Sequence, residues 1–263
     1  MHAIRHPVSV FATVVQALAY RQLKSRFGGY RLGLAWVLIE PLLQIAVFTF
    51  IMGAHGERMM PGIEFPVFLV LGITLFDLFA DNLSQSMGAI GANRGLLVYH
   101  QIIPFDFLFT RWLMELVIAV MVLAVLMGIG AWAGFTVLPH DPLGALLVVA
   151  CFALFVLGIA LIAGVVGEVV DRDLRRLVPF LNRPLYFMSG IFFPLAAIPP
   201  DLRPWIDWNP ILHALELFRS AWFESYPGQY ASWPTLAGWT VGILGFGTLL
   251  YRRHRHRLGR SDT

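Results

Sequence analysis

From Leu143 to Gly167 the chain runs 25 residues without a charged side chain. At about 1.5 Å per helical residue that run is long enough to cross a hydrocarbon core of roughly 30 Å. No water is available there to pair with main-chain N–H and C=O groups. A single stretch of this kind must therefore satisfy its own backbone, as a helix does. Similar runs recur at 32–52, 65–87, 105–135, 177–195 and 234–251. The expectation is an all-α integral membrane protein with six transmembrane helices. The composition agrees: 58% of residues are hydrophobic and only 13% charged, against about a quarter charged in a soluble domain.

The stretch 177–223 begins like a span and cannot end as one. Pro194, Pro199, Pro200 and Pro204 fall within eleven residues, with Asp201, Arg203 and Asp207 nearby. Prolines at that density stop a helix. A new helix then has a clean start, with Asn209 as N-cap and Pro210 in its first turn. His213, Glu216 and Arg219 recur every three residues and share one face. The segment 199–223 reads as short re-entrant helices that dip into the membrane and return.

Elsewhere the pattern predicts three further pieces. Residues 7–26 place Val8, Phe11, Val14, Val15 and Leu18 at helical spacing and gather Arg21, Lys24 and Arg26 at the end. That suits an amphipathic helix lying in the headgroup layer. The alternative is a leader segment, although a signal peptide's basic start, apolar core and cleavage site are missing. Residues 92–103, bracketed by glycines and Pro104, suit a short helix along the membrane face. Residues 252–263 form a basic tail. Inside the spans, Glu40 and Gln44 are costly unless paired or facing a cavity. Arg111 and Glu115 stand at i,i+4 and read as a structural ion pair.

Six spans put both ends on one side. Sixteen of the nineteen basic residues then lie on that side, and only Arg58, Arg203 and Arg219 on the other. Basic residues mark the cytoplasmic face, so both termini are expected there. The formal net charge of +3 favours anionic lipid headgroups as neighbours. The lone cysteine, Cys151, excludes an intrachain disulfide.

No chemistry is readable in the chain itself. A phosphate-binding loop needs glycines ahead of a lysine and a Ser or Thr, and the sole lysine, Lys24, sits in RQLKSRF. No Cys/His cluster has metal-ligand spacing, and no nucleophile elbow occurs. Asp171 and Asp173 stand in a charged loop beside arginines, which fits a solvated connection better than a transferase site. No catalytic residue, metal or cofactor is expected, and no nucleic-acid partner. An energised function would need another subunit.

Four stretches carry a resemblance: RFGGYRLGLAWVLIEPLLQ at 26–44, NRGLLVYHQIIPFD at 93–106, RPLYFMSGIFFPLAAIP at 183–199 and NPILHALELFRSAW at 209–222. Over nearly its whole length the chain resembles the ABC-2 type permeases. It is most similar to the KpsM-like branch that exports capsular polysaccharide. The resemblance implies a homodimer with a channel between the two copies, and two ABC ATPase subunits that bind ATP and Mg. It implies a polymer carried on a lipid through an acidic linker. A periplasmic adaptor of the polysaccharide co-polymerase type and an outer-membrane polysaccharide export protein would continue the path. The segment at 7–26 would be the interface helix. The segment at 92–103 would be the coupling helix, with Asn93, Arg94, Val98, Tyr99 and His100 touching the ATPase. Asn209, His213, Glu216 and Arg219 would belong to the periplasmic re-entrant helices.

The residues themselves add candidates. Arg26, Arg31, Arg176 and Arg183 fall near the cytoplasmic mouth, where guanidinium forks suit an acidic glycolipid. Arg183 can equally snorkel to headgroups. Trp36, Tyr186, Phe187, Phe192 and Phe193 would offer a sliding polymer faces without strong hydrogen bonds, although aromatics in a span also pack against lipid or core. Glu216 and Arg219 are expected to hold the re-entrant helix in place as a pair. Other readings are export of O-antigen, teichoic acid or a small drug, a membrane-embedded enzyme on lipid-linked sugars, or a structural subunit.

Overall fold

The computed structural model describes residues 7–27, 33–59, 62–99, 101–170 and 176–258, the side chains at 7–9, 25–27, 33–34 and 53–59 excepted. Among the described residues the chain is helical, without a strand. The helices are α1 (Pro7–Phe27), α2 (Gly33–Met59), α3 (Phe65–Ala89), α4 (Pro104–Trp132), α5 (Pro142–Val169), α6 (Val178–Met188), α7 (Pro210–Trp222) and α8 (Trp233–Leu258).

Four of them are long and apolar enough to cross a membrane: α2 through Ala35–Met52, α3, α4 and α5. α8 has the length, but its glycines, threonines and terminal arginines dilute its apolar character. α3 is the central post. It is buried along most of its length, from Phe65 to Ala89, and its first half, up to Phe76, is apolar on all sides, as suits a buried helix. It packs on α2, α4, α5 and α7. By contrast, only 6% of Ala35–Met52 in α2 is buried. α1 lies along α4, with Leu18 buried and Phe11 against Phe109 at 5.4 Å.

α5 and α8 form the most extensive helix pair. Gly158 and Gly247 let the backbones meet. A Cβ on Gly158 would lie 2.7 Å from the Leu244 nitrogen, and one on Gly247 2.6 Å from the Gly158 carbonyl. Small residues at such crossings are the usual device in membranes, where helix association rests on packing. The pair Arg111–Glu115 closes at 3.2 Å on α4.

Two elements differ from the sequence expectation. The span predicted at 177–195 is helical only over Val178–Met188. Eleven residues reach about 16 Å, roughly half a bilayer core. The helix stops at Ser189, and Gly190 takes a positive φ of 71°. The chain then folds back through turns at Leu195–Ala197 and Arg203–Trp205. The piece predicted as a helix at 92–103 is a 3-10 segment over Gly91–Val98, after which the Ile102 N–H donates to the Tyr99 carbonyl at 3.0 Å in a separate turn. The basic tail begins inside α8, which continues to Leu258. That leucine is buried against Ala89, Ile90 and Leu108, so the first seven residues of the basic tail are helical and anchored.

Candidate functional site

α7 starts as its sequence dictates: Asn209 accepts from the Ile211 N–H at 3.0 Å, with Pro210 first in the helix. Its polar face turns inward, onto the irregular chain that follows α6. Asn209 Nδ2 donates to Ser189 Oγ at 3.2 Å. His213 Nε2 meets the Asp207 carbonyl at 2.6 Å, and the Ser232 N–H donates to its Nδ1 at 3.3 Å. Glu216 Oε1 accepts from the Leu195 N–H at 3.1 Å and from the Tyr226 hydroxyl at 2.6 Å. Burial, and then the Glu216 carboxylate, push the Tyr226 phenol well above its usual range. It therefore stays a donor.

Arg219 is fully buried. Nη1 donates to the Gly190 carbonyl at 2.7 Å, and Nη2 to the Ile191 carbonyl at 2.8 Å and the Phe68 carbonyl at 3.5 Å. Its guanidinium carbon stands 3.4 Å from the centre of the Phe68 ring. Glu216 and Arg219 thus grip different main-chain segments, and each also interacts electrostatically with the other and with Tyr226.

The predicted aromatics divide. Tyr186 donates to Gln44 Oε1 at 3.0 Å, tying α6 to α2. Its ring meets Phe76 at 4.9 Å, Phe192 at 5.4 Å and Phe187 at 5.8 Å. Phe192 is buried against Phe48 at 4.1 Å and belongs to the core. Phe193 is half-buried, while Phe187 and Trp36 are exposed. Phe48 and Phe76 join this cluster although sequence reasoning did not single them out. Their helices are apolar on several faces, so periodicity did not separate them from core. Glu40, on the same helix as Trp36, is also exposed, and with Asp81 it is a charged neighbour of Asp77.

Of the four arginines expected at the mouth, Arg183 is exposed on α6, one turn before Tyr186, and Arg176 is exposed just before that helix. The Arg26 side chain and all of Arg31 lie outside the described residues, as does His100.

The five predicted ATPase contacts also divide. Asn93 is only 8% exposed; its Nδ2 donates to the Ala89 carbonyl at 2.7 Å, and Arg21 of α1 donates to its Oδ1 at 2.8 Å. Arg94 is ion-paired with Glu168 at the end of α5. Val98 and Tyr99 point away, at 77% and 63% exposure. The segment thus offers an apolar tip outward and fastens its polar residues inward.

The family model of the ABC-2 type transporters matches residues 13–223. The polysialic acid transport protein KpsM of Escherichia coli is 37% identical over 248 residues, covering 94% of this chain and 96% of that protein. The capsule polysaccharide export inner-membrane protein BexB of Haemophilus influenzae is 23% identical over 248 residues, 94% of this chain and 93% of that protein. The corresponding protein CtrC of Neisseria meningitidis serogroup A is 26% identical over 212 residues, 80% of this chain and 79% of that protein.

Proposed function

The chain belongs to the ABC-2 type transporter family, and on that premise we propose that it is the inner-membrane permease of a capsular polysaccharide exporter. The observation that carries this reading is the end-to-end likeness to the polysialic acid transport protein. The permease acts as a transport subunit. Two partner ATPase subunits bind ATP and Mg and supply the energy.

Two copies of the chain enclose the path. Support comes from α2, which exposes both Trp36 and Glu40. A carboxylate facing lipid at mid-bilayer costs about 2.5–3.5 kcal/mol on insertion scales. A second copy or a hydrated channel beside α2 removes that penalty. α6 continued by α7, and then α8, supply the fifth and sixth crossings. The turns before α7 form the re-entrant periplasmic end, and both termini are cytoplasmic. The periplasmic adaptor and outer-membrane export protein take over from there.

The polymer rides on a lipid with an acidic linker, captured at the cytoplasmic mouth by Arg26, Arg31, Arg176 and Arg183. Its sugars pass the exposed Trp36 and Phe187 beside Tyr186. The Val98–Tyr99 tip docks on the ATPase.

Coexpression with the cognate ATPase gives the direct test. The complex should copurify and hydrolyse ATP faster when acidic glycolipid is added, while the permease alone hydrolyses none. Turnover of glycolipid by the lone chain would instead make it an enzyme. Two variants localise the roles. Arg183→Ala should lower export several-fold while the complex still assembles; normal export at normal expression removes Arg183 from capture. Val98→Cys should crosslink to the ATPase, and a crosslink only to lipid or periplasmic protein rejects the docking tip.

A further inference from the structure

We infer that Arg94 and Glu168 are a positioning pair that passes movement of the docking segment into α5, an inference that rests on the reading of Gly91–Val98 as the ATPase dock. A 3-10 segment of eight residues holds itself weakly, through i→i+3 bonds of poor geometry. Gly91 and Gly95 loosen it further. Such a piece transmits a push only through what fastens it.

Three contacts among the described residues fasten it. Asn93 ties it to the last turn of α3 through the Ala89 carbonyl, and Arg21 ties Asn93 to α1. The third is Arg94–Glu168, which joins residues 74 apart in the sequence. The Glu168 side chain is 4% exposed and that of Arg94 29%. A charge-assisted bond shielded in this way is among the stronger and better-directed contacts a protein makes. Of these three it is the one that reaches α5.

Two glycines bring the partners together. At Gly167 the backbone of Met87 lies so close that no Cβ fits, which holds the end of α5 onto the end of α3. At Gly91 a Cβ would stand 3.1 Å from Glu168 Oε2, so the missing side chain leaves room for the carboxylate. The α3 end, the α5 end and the docking segment form one knot. Val178, at the start of α6, is buried in one cluster with Met87 of α3 and Ala163 of α5, and α6 carries Arg183 and Tyr186. Displacement of the Val98–Tyr99 tip is delivered through that cluster to the helix that bears the mouth arginine and the aromatic cluster.

The test uses the whole permease–ATPase complex in liposomes with acidic glycolipid, and reads ATP hydrolysed per polymer exported. Glu168→Gln and Arg94→Gln should each raise that ratio about tenfold, the size of an ordinary coupling free energy. The exchange Arg94→Glu with Glu168→Arg should bring it back toward the parent value. An unchanged ratio in the single variants, or an exchange no better than either, overturns the inference. So does a single variant that no longer copurifies with the ATPase or melts early, since the pair would then serve folding alone. Every protein carries Val98→Cys. Absence of its ATPase crosslink in the otherwise unaltered complex rejects the docking reading, whereas a crosslink beside an unchanged ratio rejects only the link.

Discussion

Arg219→Ala should lower the melting midpoint in detergent by at least about 10 °C, as expected for a loss of several kcal/mol from a chain of this size. The guanidinium is fully buried and holds the carbonyls of Gly190, Ile191 and Phe68. Alanine leaves those carbonyls without their donor, at about 1–3 kcal/mol for each buried group. It also opens a void beside the Phe68 ring. Removing one member of a buried charged network typically costs about 3–5 kcal/mol, a large part of the roughly 5–15 kcal/mol that holds a domain together. Because Glu216 and Arg219 hold separate segments, the double exchange Glu216→Arg with Arg219→Glu should be no more stable than the single changes. Gly72→Ala should reproduce a milder form of the defect, since its Cβ would stand 2.5 Å from Arg219 Nη2. A midpoint for Arg219→Ala within about 2 °C of the parent would mean that the irregular chain after α6 does not depend on this residue.

Gly158→Leu should separate α8 from α5 and remove most export. The atoms in the way are backbone, the Leu244 nitrogen and the Ile243 carbonyl carbon, which cannot rotate aside as a side chain would. Overpacking a well-filled site costs about 1–3 kcal/mol when side chains can yield, and here the whole helix has to move. Gly247→Leu should act alike, since it faces the Gly158 carbonyl. Gly245→Leu is the control: on the same helix, nothing lies within 4 Å of its Cβ position. Melting and export measured together decide the matter. If Gly245→Leu were as damaging as Gly247→Leu, the defect would come from leucine on α8 and not from the crossing.

These two sites differ in how far sequence reading reached them. Asn209, His213, Glu216 and Arg219 were legible as one polar face because three-residue spacing is a local property of a helix. Their partners were not. The carbonyls at 190 and 191 belong to chain that was expected to continue a span, and every residue has a carbonyl, so no side-chain pattern marks those two. The α5–α8 crossing was not legible at all. Nothing in the spacing of glycines along α5 and α8 says which of them meets a neighbour and which faces open space. The docking segment shows the same limit: Asn93 and Arg94 looked as available to a partner as Val98 and Tyr99. Arg21 and Glu168, 72 and 74 residues away, help turn the first two inward.

The sequence by itself determined that this chain is helical and apolar enough for a membrane, because uncharged runs must pair their own backbone there. It also determined where α7 begins, because an N-cap and a following proline act within a few residues. The tertiary structure alone decided where α6 stops, which polar groups grip main chain and which face outward. Those outcomes depend on atoms brought together from distant parts of the chain, where a few ångströms separate a buried partner from an exposed side chain.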